Sequence, residues 1–228
     1  MKPLLIALFC VSLLFLFAAY RVSCFFYYKK HQTKYHFYKM FPYEFNYPRV
    51  YNDNIFGNSL FILGLISLVA FYTFFFNSSY CYGTVTGVSM LIIIIIDAVL
   101  FLSLLLMPLN YLRTHAFTAI FSLTLSTVLP MLQVFYAFQS LQNHQFIDHP
   151  YYMDIIAIVV SGLFALFMLL NLLNPKASFK IYMDKALDSE GKEVFIRPRI
   201  IYMAFNEWAS ILMTFLSPLS LILLIILF

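Results

Sequence analysis

A chain of 228 residues that is 63% hydrophobic and only 11% charged has too little polar surface for a water-soluble domain, where about 25% of residues carry charge. Its net charge of +4 does not point to nucleic acid, because all but one of the 14 Lys and Arg residues sit in three segments between long apolar runs. Those runs are roughly 3–20, 57–76, 86–108, 116–138, 154–173 and 207–228. Each is close to the ~20 residues a helix needs to cross a ~30 Å hydrocarbon core. The expected fold class is all-α, a single domain built as a bundle of six transmembrane helices.

The first run has one lysine, Lys2, and then apolar residues, as a signal peptide does. Arg21 and Val22 stand before Cys24, where a cleavage site needs small residues and a lipoprotein site an apolar one. The first span is therefore expected to be retained. The three cysteines, Cys10, Cys24 and Cys81, have no metal or redox spacing.

Segment 21–56 mixes Arg21, Lys29, Lys30, Lys34, Lys39 and Arg49 with Phe25, Phe26, Tyr27, Tyr28, Tyr35, Phe37 and Tyr38. Aromatic rings beside ammonium groups favour a headgroup layer. The segment reads as an interfacial helix to about Met40, or as a continuation of the first span, ended by Pro42 and Pro48. Lys29, Lys30, Lys34 and Lys39 are candidate contacts to anionic lipid headgroups.

Loop 77–85 has no Lys or Arg and contains the sequon Asn77-Ser78-Ser79. The third span places Asp97 near mid-bilayer, where an isolated Asp costs about 2.5–3.5 kcal/mol on insertion scales. Asp97 is expected to face the bundle interior, as a proton, cation or headgroup site or as a structural hydrogen bond between helices. The turn 109–115 carries Arg113 and His115, the latter of the residue type that titrates near neutral pH. They read either as a topogenic charge beside a surface histidine or as partners of Glu207 at the same level.

The fourth and sixth spans contain Pro130 and Pro218, expected helix kinks whose freed carbonyls Ser126, Thr127, Ser217 and Ser220 are near enough to satisfy. Loop 139–153 holds His144, Asp148 and His149, with Asp154 after it; loop histidines are more often solvated than metal-bound, and no metal site is expected. Segment 174–206 is basic, with Lys176, Lys180, Lys185, Lys192, Arg197 and Arg199, and two β-like runs, 179–183 and 194–197, suggest a small hairpin. Glu207 and Trp208 open the last span, Trp208 as an interface anchor. The positive-inside rule puts all three basic segments in the cytoplasm and both termini on the other side.

Met107-Pro-Leu-Asn-Tyr-Leu-Arg-Thr-His115-Ala resembles the turn between the third and fourth helices of a broad six-helix family. That family comprises the damage-regulated autophagy modulators, Sfk-type proteins and GPI-anchor lipid-remodelling factors, with uncharacterised prokaryotic relatives. Asn206-Glu207-Trp208 resembles the Glu-Trp pair opening its sixth helix, and Phe41-Pro-Tyr and Phe56-Gly57 fit more loosely. The resemblance implies six helices and a role around membrane lipids, and it marks Pro108, His115, Glu207 and Trp208. Its eukaryotic members are usually drawn with both termini in the cytosol, the reverse of the charge count here.

Templates for hydrolases, P-loop enzymes and paired-Cys chemistry are missing from the sequence, and no cofactor is expected. The leading expectation is a non-enzymatic membrane protein that binds or organises membrane lipid, with a possible protein partner within the membrane and no nucleic acid. The alternatives are a small-solute or proton-coupled transporter using Asp97 and a lipid-modifying enzyme using His115 and Glu207. Internal inverted repeats, a common mark of transporters, are not seen.

Overall fold

In the computed structural model, six helical stretches are long and apolar enough to cross a membrane, by length and composition. The structure describes residues 1–46, 54–78, 85–107, 112–143, 151–176, 184–187 and 192–226. The helices are α1 (Lys2–His31), α2 (Ile55–Phe76), α3 (Val85–Leu106), α4 (Leu112–Asn143) and α5 (Tyr151–Leu172), followed by α6 (Tyr202–Leu216) and α7 (Pro218–Ile226), which together make the last stretch. Between α5 and α6, strands β1 (Asp184–Leu187) and β2 (Glu193–Ile196) pair antiparallel, Asp184 opposite Ile196. The run 179–183, where the first strand is expected, lies outside the described residues, as do Arg49, Pro108, His144, Asp148 and His149.

The first helix is longer than its apolar run. No Pro or Gly interrupts residues 4–31, so nothing stops the helix at residue 20. It ends where Gln32 turns left-handed (φ 55°) and its N–H donates to the Tyr28 carbonyl at 2.8 Å. Lys29, Lys30 and His31 complement the dipole of the last turn. At about 1.5 Å per residue, these 30 residues reach ~45 Å, well past a hydrocarbon core. The interfacial helix to Met40 is thus corrected. The chain doubles back after Gln32, and Tyr35, Met40, Phe41, Tyr43 and Phe45 are all buried against the helices. Rings this large are stabilised more by packing than by lying half-wet.

Helices α1 to α5 pack in sequence order as neighbours, and α6–α7 touches the other five. Its apolar stretch is 67% buried, against 22–50% for the others, so the last helix is the centre of the bundle. Hydrogen bonds at one end tie Asn46 after α1, Asn58 at the start of α2 and Leu105 at the end of α3. Others at the same end join His115 on α4 to Glu207 on α6, and Asn206 to Asn171 on α5. The helices therefore alternate in direction. Lys29, Lys30, Lys34, Arg113, Lys176, Arg197 and Arg199 collect at this end, all exposed, while Lys2 lies at the other.

The polarity of the bundle is inverted. Leu14, Phe17, Ile66, Val99, Phe117 and Leu163 point outward and are more than half exposed. Asp97, Ser122, Gln133, Thr214 and Ser217 are buried.

Glycine lets α1 and α2 approach closely. A Cβ at Gly57 would collide with Ser23 Oγ and Asn54 Oδ1, and one at Gly64 would come 3.2 Å from Phe215 Cε1. These glycines are seven residues apart and share one face of α2. Asn54 Nδ2 donates to Ser23 Oγ at 2.8 Å in the same place. Gly57→Val is expected to cost roughly 1–3 kcal/mol of overpacking. A thermal melt of the purified protein checks it; an unchanged midpoint would mean that the α1–α2 contact is not tight there.

Candidate functional site

Glu207 lies in the second turn of α6, and His115 in the first turn of α4. The helix starts face each other, and His115 Nε2 meets Glu207 Oε1 at 2.9 Å with both side chains buried. His115 Nδ1 lies 3.1 Å from the Met107 carbonyl. A carbonyl only accepts, so Nδ1 carries a proton. The hydrogen bond between Nε2 and Oε1 then needs one further proton, shared by imidazole and carboxyl. The pair is a neutral unit holding one proton that can sit on either partner.

Arg113 does not join it. Two residues along a helix are about 200° apart, so Arg113 and His115 point to opposite sides of α4. Arg113 is exposed and His115 is buried, and the Arg113–Glu207 pairing expected from their common level is corrected accordingly.

The doubled-back segment roofs this pair. The rings of Phe41 and Tyr43 meet His115 edge-on, with centroids 5.8 and 5.5 Å away. Glu44 holds the roof: its Oε1 accepts from the Phe41 N–H at 2.8 Å, and Arg197 Nη1 donates to both carboxylate oxygens at 3.1 and 2.8 Å. The Tyr38 carbonyl accepts from the Ile201 N–H at 2.9 Å, tying the roof to the start of α6. Lys39 in the same segment is half-buried, and its carbonyl accepts from Arg197.

Trp208 is half-buried and packs against the segment that follows α1. Its ring meets Tyr20, Tyr35 and Phe45 edge-on, and its Nε1–H donates to the Tyr35 hydroxyl at 2.9 Å and the Met40 carbonyl at 3.1 Å. The single proton of the Tyr35 hydroxyl is in turn shared between the Met40 and Phe41 carbonyls, at 3.0 and 2.9 Å. Burial pushes the Tyr35 phenol well above its ordinary pKa, so it stays a donor.

Below the roof, α4, α5 and α6 leave a cleft of about 240 Å³, lined by Ala119, Ile120, Leu123, Leu172 and Met203 and closed at its polar end by Asn206 and Glu207. Asn206 uses its Nδ2 to donate to the Asn171 carbonyl at 3.1 Å, and its Oδ1 has no partner among the described residues. Glu207 Oε2 has none either.

Asp97 belongs to a second cluster. Eleven residues separate His115 from Ser126 on α4, about 16 Å, so the two sites do not share a ligand. Ser126 Oγ donates to Asp97 Oδ2 at 3.3 Å, and Thr214 Oγ1 donates to Ser126 Oγ at 2.9 Å. Pro218 has no N–H for the Thr214 carbonyl and breaks the last helix into α6 and α7. The Ser217 hydroxyl donates to that carbonyl at 2.8 Å. Tyr72 then donates to Ser217 Oγ at 2.7 Å, and Gln133 Nε2 donates to Tyr72 at 2.8 Å. Pro130 lies inside α4, which continues through it. Tyr72, Gln133 and Thr214 were not singled out in the sequence; Gln133, an amide inside an apolar run, is the signal that leads to them.

Lys29, Lys30 and Lys34 stand exposed at the basic end, beside exposed Phe25, Tyr28 and Phe37. Asn77 of the sequon is exposed, and Ser79 lies outside the described residues. Among the described residues there is no group of three His, Cys, Asp or Glu placed to hold a metal ion. The chain matches no protein-family model, no curated protein and no solved structure.

Proposed function

We propose that this chain is an integral membrane protein with six spans that binds or organises membrane lipid, alone or as a subunit of a membrane complex. The observation that carries this reading is the outer surface, apolar around the helices and basic and aromatic at one end. Such a surface is stabilised by acyl chains around its girth and by anionic headgroups at Lys29, Lys30 and Lys34. The positive-inside rule puts that end in the cytoplasm and both termini opposite. The sequence resemblance to the family of lipid-remodelling factors and autophagy modulators points the same way.

The test is native mass spectrometry with lipidomics on protein purified in mild detergent. Wild type is expected to keep bound lipid, and replacing Lys29, Lys30 and Lys34 together by Gln is expected to reduce the anionic share severalfold. Bare protein in every sample would sink the lipid reading.

A second reading, proton-coupled transport through Asp97, is favoured by one observation: a hydrogen-bonded chain from Thr214 through Ser126 ends on Oδ2, while Oδ1 is buried with no partner among the described residues. The two readings separate at Asp97→Asn. Lipid retention is expected to survive it, whereas transport in proteoliposomes would be abolished.

A further inference from the structure

We propose that the cleft between α4, α5 and α6 binds the headgroup of one lipid, through a hydroxyl or primary ammonium that donates to Glu207 Oε2 and Asn206 Oδ1. This rests on the membrane-lipid reading and gives it a site and a ligand chemistry.

The polar end of the cleft selects for donors. Among the described residues, Glu207 Oε2 and Asn206 Oδ1 are both buried acceptors without a partner, on side chains of residues that are 2% and 4% exposed. A buried polar atom without a partner carries a desolvation penalty that a donor removes. Neither oxygen is free to turn away, because the same side chains are held by His115 and by the Asn171 carbonyl. Two fixed acceptors suit a hydroxyl or an N–H-bearing ammonium. They do not suit a phosphate oxygen or a trimethylated ammonium, which have no proton to give.

Size and surroundings point to an amphiphile. A cleft of about 240 Å³ has room for a headgroup and not for a whole lipid. The remaining walls are apolar, and the cleft runs beside Ile120, which is 43% exposed on the outer face of α4. Phe117 and Phe121 flank that position and are exposed as well. A chain attached to the headgroup leaves past Ile120 directly onto the apolar girth of the bundle. From the aqueous end the way is covered by Phe41 and Tyr43 over His115. The ligand therefore enters sideways, as a membrane lipid does.

The experiment reconstitutes the full chain in nanodiscs containing equal parts of phosphatidylcholine, phosphatidylethanolamine and diacylglycerol. It then reads the lipid retained after detergent extraction by native mass spectrometry. Wild type is expected to keep one donor-bearing lipid in at least fivefold preference over phosphatidylcholine. Ile120→Trp fills the mouth from an exposed position and is expected to lower that occupancy at least tenfold with an unchanged melting temperature. Glu207→Gln distinguishes the sources: it keeps an amide oxygen that can accept from a hydroxyl but removes the carboxylate that forms when the shared proton sits on His115, so diacylglycerol is retained and phosphatidylethanolamine is lost if the donor is ammonium. Equal retention of phosphatidylcholine, or full occupancy in a folded Ile120→Trp, would overturn the assignment while leaving lipid binding elsewhere on the bundle intact. Bare wild-type protein would overturn both the site and the lipid reading.

Discussion

Glu207→Ala is expected to destabilise the chain by about 3–5 kcal/mol, the range for removing one partner of a buried pair. The substitution leaves His115 Nε2 with no partner in a site only 1% exposed and opens a gap against the roof. Glu207→Gln is expected to cost far less, because the amide N–H can donate to a neutral Nε2 while Nδ1 keeps its bond to Met107. A thermal double-mutant cycle with His115→Ala checks the argument. The double variant should lose clearly less than the sum of the singles, since each single loss already includes the abandoned partner. Additive losses would show that the two residues do not interact.

Trp208→Ala is expected to be the next most severe, about 2–4 kcal/mol, somewhat below the range for a fully buried aromatic because the ring is half-buried. Its ring joins Tyr20, Tyr35 and Phe45, and its N–H is one of the bonds holding the 35–45 segment. The loss should not be confined to global stability. Amide exchange in residues 35–46 should accelerate selectively, because that segment is held by side chains rather than by regular backbone pairing. Protection unchanged in that stretch would mean that Glu44 and Arg197 hold the roof alone. As the chain's single tryptophan, Trp208 also reports on the segment without a label. In Tyr35→Ala its emission should shift red as the pocket around it admits water.

The helices were legible in the sequence because a run of about twenty apolar residues has few structural outlets. Their ends were less so. Where α1 stops depends on Gln32 adopting a left-handed turn, and Gln is not the residue type that announces one. The roof was misread for a related reason: Tyr35, Phe41 and Phe45 look interfacial by composition, and only their contacts with Trp208, His115 and α6 turn them inward. His115, Glu207 and Asp97 stood out as polar groups in apolar surroundings, but their partners did not. Helical phase selects His115 over Arg113 for the face towards Glu207, and phase is decided by where α4 begins. The cleft was invisible, since Ala119 and Leu123 are ordinary apolar residues whose spacing says nothing of a gap.

The central position of α6–α7 has a consequence for how the fold is reached. Of the six long stretches it leaves the ribosome last, yet it supplies Thr214 and Ser217 to the buried network and Glu207 to His115. Until it arrives, Ser126, Tyr72 and His115 on the earlier helices each lack one partner, Thr214, Ser217 and Glu207 respectively. The first five helices pack against one another and share much of the apolar core, but the polar side chains they bury are completed only by the last. The buried polar network is closed by the final segment, and a chain lacking residues 202–226 would leave its lining short of those partners.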